Sequence, residues 1–104
     1  MEDIKEKWGQ ILLNIVQEHE VSDIAYRTWL KPLELHDVRD NTVIILVPTG
    51  QMGIDYIKKK YLFALNVAIA EMTGTEYDIS FILPEQAREE KLRHVHEVKP
   101  SEIG

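Results

Sequence analysis

Cysteine is absent from the 104 residues, which excludes disulfide staples, thiolate metal sites and a cysteine nucleophile. Long apolar runs are absent too: the longest, Val43 to Val47, is far too short to span a bilayer. The first residues, Met1-Glu2-Asp3, are acidic and open no apolar stretch, so no secretory signal is expected. Positive charge is scarce, with 12 Lys and Arg against 18 Asp and Glu and a net charge of −6. Such a surface repels phosphate backbones and anionic lipid over most of its extent, so neither nucleic acid nor membrane is the default partner. What remains, 44% apolar and 29% charged, is the make-up of one small globular domain, expected in the cytoplasm.

Ile4, Trp8, Ile11, Leu12, Ile15 and His19 recur at the spacing of one helix face, which predicts an amphipathic helix over residues 3–19. Ser22 and Asp23 then offer side-chain oxygens to the free N–H groups of a shorter helix carrying Tyr26, Trp29 and Leu30. Pro32 closes it, because proline disfavours the helical conformation of the residue before it. Leu33 to Val38 alternates imperfectly, Arg39-Asp40-Asn41 is a turn cluster, and Thr42 to Val47 is β-branched, so these read together as a hairpin.

After the break at Pro48-Thr49-Gly50, the residues Ile54, Ile57, Tyr61, Leu65, Ala68, Ile69 and Met72 keep helical spacing, which predicts one helix of about five turns, the longest of the chain. Thr73-Gly74 ends it, since glycine tolerates the left-handed backbone of a helix C-terminus. Tyr77, Ile79, Phe81 and Leu83 alternate with Asp78, Ser80 and Ile82, which predicts a third strand with one distinctly apolar face. Residues 1–84 are thus expected to form the domain, and 85–104, rich in charge and without aromatics, a polar linker or tail that is partly helical at most. The order helix, helix, strand, strand, helix, strand defines an α+β class, a small three-stranded sheet covered by helices.

This order, with Trp8, Trp29-Leu30-Lys31-Pro32-Leu33, Asn41-Thr42, Pro48, Asp55-Tyr56, Lys60-Tyr61-Leu62 and Thr73-Gly74 in sequence, resembles the N-terminal domain, domain I, of the bacterial chromosomal replication initiator DnaA. The resemblance covers about residues 1–85. It implies a KH-like fold without catalysis or cofactor, which self-associates weakly and docks the replicative helicase or small regulators of initiation. The ATPase and DNA-binding parts of an initiator have no counterpart here, and no Gly-x-x-x-x-Gly-Lys-Ser/Thr phosphate loop occurs. The chain therefore reads either as an excised domain or as a stand-alone regulator competing for the same partners.

By the resemblance, an aromatic at Trp8 belongs to the self-association surface, whereas its helix position alone reads as core packing. Met52 stands where relatives carry an exposed Phe, which places it in the partner-binding surface together with Gly53, Ala25, Tyr26, Thr28 and Trp29. Trp29 by itself reads as filling the corner between helix and sheet. Some relatives carry an acidic residue where Ala25 stands, and Asp23 nearby reads first as a helix cap.

Gly50-Gln51-Met52-Gly53 formally fits the Gly-x-x-Gly loop that clamps a nucleic-acid backbone in KH domains, and Lys58, Lys59 and Lys60 supply charge one to two turns later. This is the alternative reading, a KH-like module with weak single-strand binding. Three consecutive lysines on a helix nonetheless point in three directions, as on a solvated face. His94 and His96 make a close pair, but without further ligands no metal site is expected. Asp37 and Asp40 flank a turn and resemble turn chemistry more than an acid and base.

Overall fold

A computed structural model of the chain describes residues 2–90. Helix α1 runs over Glu2–Glu18 and buries Ile4, Ile11, Leu12 and Ile15, four of the stripe residues, while His19 lies beyond its end and is exposed. The short α2, Asp23–Ala25, widens at once into a π-type turn, Tyr26–Leu30. Strands β1, Glu34–Arg39, and β2, Thr42–Leu46, form the antiparallel hairpin. Helices α3, Gln51–Lys60, and α4, Leu62–Thr73, lead to β3, Asp78–Ile82, and residues 84–90 close the described chain as a further helical turn. The α+β arrangement expected from the order of elements is the observed one.

The single five-turn helix expected over Ile54 to Met72 is instead two helices, and among the described residues α1, with 17 residues, is the longest helix. Tyr61 breaks it, its backbone turned to φ −120° and ψ −2°. A straight helix over residues 51–73 would be about 35 Å long, whereas a strand of five or six residues extends only about 20 Å. Bending at Tyr61 lets Ile54 and Ile57 on one side, and Leu65 and Ile69 on the other, enter the same core. The apolar period hides the bend, since Tyr61 belongs to both stripes: its N–H donates to the Ile57 carbonyl at 2.7 Å and its carbonyl accepts from the Leu65 N–H at 2.9 Å.

The sheet has the order β1-β2-β3, with β3 parallel to β2. Parallel pairing requires a crossover, and α3 and α4 supply it. Val43, Ile45 and Val47 face inward and are fully buried against the helices. The imperfect alternation of the first strand is a bulge between Leu35 and Asp37, which leaves His36 without a counterpart on β2. The turn itself places Asp40 at φ +50°, and the backbone carbonyl of Asn41 accepts from the Asp78 N–H at 2.8 Å, tying the hairpin end to β3. Gly74, at φ +77°, ends α4 in the left-handed conformation, as expected of that glycine.

Candidate partner-docking surface

The α2 region is shaped by its cap. The Ser22 hydroxyl accepts the Ala25 N–H at 3.1 Å, so Ser22 alone is the N-cap and Asp23, expected to share that role, is the first helical residue. There it faces the positive end of the helix and pairs with Arg27 at 2.6 Å. The wide turn follows: the Lys31 N–H reaches back five residues to the Tyr26 carbonyl at 2.7 Å. That extra residue in the turn carries Leu30 into the core and leaves Trp29 half-buried on the flank.

Trp29 lies over the ring of Tyr56 on α3, with centroids 4.2 Å apart. Tyr56 in turn meets Tyr61 edge to face at 6.1 Å, and the Lys60 ammonium stands 5.7 Å from the Tyr56 ring centre. Burial raises the Tyr61 hydroxyl pKa above its ordinary value, with Tyr56 adding to the effect. This aromatic row joins the π-type turn to α3 and to the corner before α4. Met52 lies four residues before Tyr56 and so shares its helix face, and its side chain is 82% exposed.

Of the residues expected at a partner surface, Thr28 and Met52 are exposed, while Ala25, Tyr26 and Trp29 are half-buried. Gly53 does not share that exposure: it is buried, and a Cβ there would stand 1.8 Å from Thr49 Oγ1. Its missing side chain is what allows α3 to start so close to the end of β2. Gly50, at φ +90°, caps α3, so the Gly-x-x-Gly string is the entry of a helix after a strand rather than a loop between helices. Lys58, Lys59 and Lys60 are exposed in the last turn of α3, where they face its negative end.

Trp8 is half-buried, and its indole N–H donates to the Leu33 carbonyl at 3.1 Å, which fixes α1 to the entry of β1. His94 and His96 lie outside the described residues. Three exposed apolar side chains were not singled out by sequence: Leu13, Ile24 and Phe63. The signal was there for Phe63, because it falls off the Tyr61, Leu65, Ala68 stripe while being apolar and large.

A cluster on β1 was equally unforeseen. Arg39 donates to Glu90 at 2.5 Å and to Asp37 at 2.6 Å, and His36 Nε2 lies 3.3 Å from the same Glu90 oxygen. The Arg39 hydrogen bond holds the Glu90 carboxyl below its usual range, helped by His36, and does the same for Asp37. The cluster attaches the 84–90 helix to the sheet.

Comparison with known proteins adds a family to this geometry. Residues 5–71 match the family model of the DnaA N-terminal domain. The chain is also 38% identical over 91 residues to the chromosomal replication initiator protein DnaA of Lachnoclostridium phytofermentans, an alignment covering 85% of this chain and 20% of that protein. The chain thus spans about a fifth of that relative's length.

Proposed function

The chain belongs to the DnaA N-terminal domain family, and from that premise we propose that it is the non-catalytic protein-interaction module of a cytoplasmic replication initiator, docking the replicative helicase or an initiation regulator. In this reading residues 1–84 are the interaction domain and the following segment leads toward the rest of the initiator. The observation that carries it is Met52, a large apolar residue 82% exposed and one helical turn before Tyr56, whose ring stacks on Trp29. A flexible thioether next to rigid half-buried rings makes a small adaptable anchor, the kind of group that dominates an interface once water is excluded around it. Thr28, exposed, and Tyr26, half-buried, belong to the π-type turn that also carries Trp29. Weak self-association through the Trp8 face of α1 completes the proposal. The limited apolar area there and the net charge of −6 favour a dimer that forms only at high concentration.

The test is a titration of the chain with its cognate helicase or regulator. Met52→Ala is expected to weaken binding by about 1 to 2 kcal/mol, roughly 5- to 30-fold, with the circular dichroism spectrum unchanged. Met52→Asp weakens it further, because the new carboxylate is desolvated against the partner without a mate. Lys59→Ala serves as the control and leaves binding intact. Loss of binding in the lysine variant alone would overturn the reading in favour of a basic-face mechanism.

A further inference from the structure

We propose that the free edge of β3 is a second docking site, at which an extended segment of a partner protein, alternating apolar and basic residues, adds as a fourth strand. β3 is the last strand of the sheet and pairs with β2 in unbroken parallel register, from Thr42 with Asp78 to Leu46 with Ile82. In a parallel pair, alternate residues of a strand turn their N–H and C=O toward the neighbour. The Asp78 N–H donates to the Asn41 carbonyl at 2.8 Å and the Ile82 carbonyl accepts from the Val47 N–H at 3.0 Å, so Asp78, Ser80 and Ile82 are the residues that face β2. Ile79 and Phe81 turn theirs to the open side, where nothing among the described residues bonds to them. The edge ends at Leu83, whose N–H donates to Gln86 Oε1 at 2.8 Å. The opposite edge is built differently, because β1 is bulged at His36. A bulge keeps a sheet edge from pairing, and β3 has neither a bulge nor a proline, which leaves it a template for an added strand.

The side chains of β3 and the charge around it select the occupant. Ile79 and Phe81 are half-buried against the core, so every second side chain of an added strand lies beside them and is apolar. The residues between point to the other face, where Asp78 and Ser80 are exposed. From Glu71 to Ala87 the chain carries Glu71, Glu76, Asp78 and Glu85 and no Lys or Arg. The hollow between α4 and the start of β3 is lined by Glu76 and Asp78 as its only charges, and the charged residues next in sequence to its lining, Asp40 and Glu71, are exposed acids. The cations that flank the stretch are Lys7, which donates to the Met72 carbonyl at 3.0 Å, and Arg88, past the end of the strand. Opposite charges on neighbouring strands stabilise and like charges destabilise, so the alternate residues of the occupant are Lys or Arg. A second copy of β3 is disfavoured because it brings the same Glu76 and Asp78 to the edge. A nucleic-acid strand is disfavoured because its phosphates meet these carboxylates.

The experiment titrates a synthetic decapeptide of alternating valine and lysine into the isotope-labelled full chain and follows backbone amides by NMR shifts and hydrogen exchange. Binding is expected to slow exchange at the Ile79 and Phe81 amides. Two N-methylated forms of the peptide, one modified at every valine and one at every lysine, keep the charge while removing the N–H groups of one side of the strand. The form that loses the side facing β3 is expected to bind at least tenfold more weakly than the other, and a peptide with glutamate in place of lysine is expected not to bind. Asp78→Lys is expected to weaken the lysine peptide at least threefold, with circular dichroism unchanged because that residue is exposed. Met52→Ala is expected to leave its affinity unchanged, so that failure of this edge and failure of the Met52 patch are told apart. No binding of the lysine peptide, unaltered exchange at Ile79 and Phe81, or equal affinity of the two methylated forms would overturn the proposal. Slowed exchange at the same two amides on adding oligo(dT) overturns it in favour of nucleic acid. The same slowing on concentrating the chain alone overturns it in favour of a second copy.

Discussion

The rings of Trp29 and Tyr56 stack 4.2 Å apart and 27° from parallel, and the pair is the joint between the π-type turn and α3. Both halves of the Met52 surface hang on it. Trp29→Ala and Tyr56→Ala should each lower stability, and the double variant should lose less than the sum. The expected coupling is about 0.5 to 1.5 kcal/mol, the range for aromatic pairs beyond their buried area, read from a double-mutant cycle by urea denaturation.

Gly53 offers a prediction of reversed sign. In an ordinary helix, replacing glycine by alanine stabilises by about 1 kcal/mol. Here the new Cβ would meet Thr49 Oγ1 at 1.8 Å, Thr49 Cβ at 2.8 Å and a Val47 methyl at 3.3 Å. Gly53→Ala should therefore destabilise by about 1 to 3 kcal/mol, the cost of overpacking. Thr49→Gly in the same chain removes the two closest atoms and should recover part of the loss in a thermal melt, which an unrelated origin of the instability would not allow.

Trp8 contributes to the fold independently of any role in self-association. Trp8→Phe keeps most of the ring but leaves the Leu33 carbonyl without its indole donor, so it should cost about 1 kcal/mol of stability. For the proposed self-association, sedimentation of that variant at high protein concentration should show a dimer retained where the ring face makes the contact. Trp8→Ala should lose both the dimer and more stability.

The Arg39 cluster gives a pH dependence. The ordinary carboxyl values are 4.5 for Glu90 and 3.8 for Asp37, and both are lowered in the folded chain, first by hydrogen bonds from Arg39. A lowered carboxyl favours folding wherever the unfolded carboxylate is already ionised, so this contribution is complete above about pH 5 and disappears as pH falls below the folded values. The side chains are 34 to 50% exposed, and screening by water limits the pair to about 0.2 to 1 kcal/mol. Glu90→Gln should lower the melting temperature by about 1 to 5 °C at pH 7 and by less at pH 3. Amide exchange over residues 84–90 should quicken in the same variant, because Glu90 ties this helix to His36 and Arg39 of β1.

How much of the candidate site was legible depends on which forces place each residue. Ser22, Pro32 and Gly74 punctuate the chain through their own backbone chemistry, and the structure puts element ends beside all three. Met52 was singled out through the family resemblance, and its exposure agrees with a surface position. Gly53 is expected beside it only because the two are neighbours in sequence. In α3 adjacent residues point about 100° apart, so one of the two turned to solvent and the other to Thr49.

The sequence by itself determined the elements, because a helical or strand period and a turn residue act within a few residues of chain. It determined the hairpin through Asp40-Asn41 and the β-branched run after it, and the buried face of α1 through its repeat. Tertiary structure alone decided the bend at Tyr61, the parallel pairing of β2 with β3, the exposure of Phe63 and the bond between Arg39 and Glu90, 51 residues apart. Each of these turns on which distant surfaces share one core of limited size: a local repeat records that a side chain is apolar, and only the assembled layers settle whether there is room for it inside.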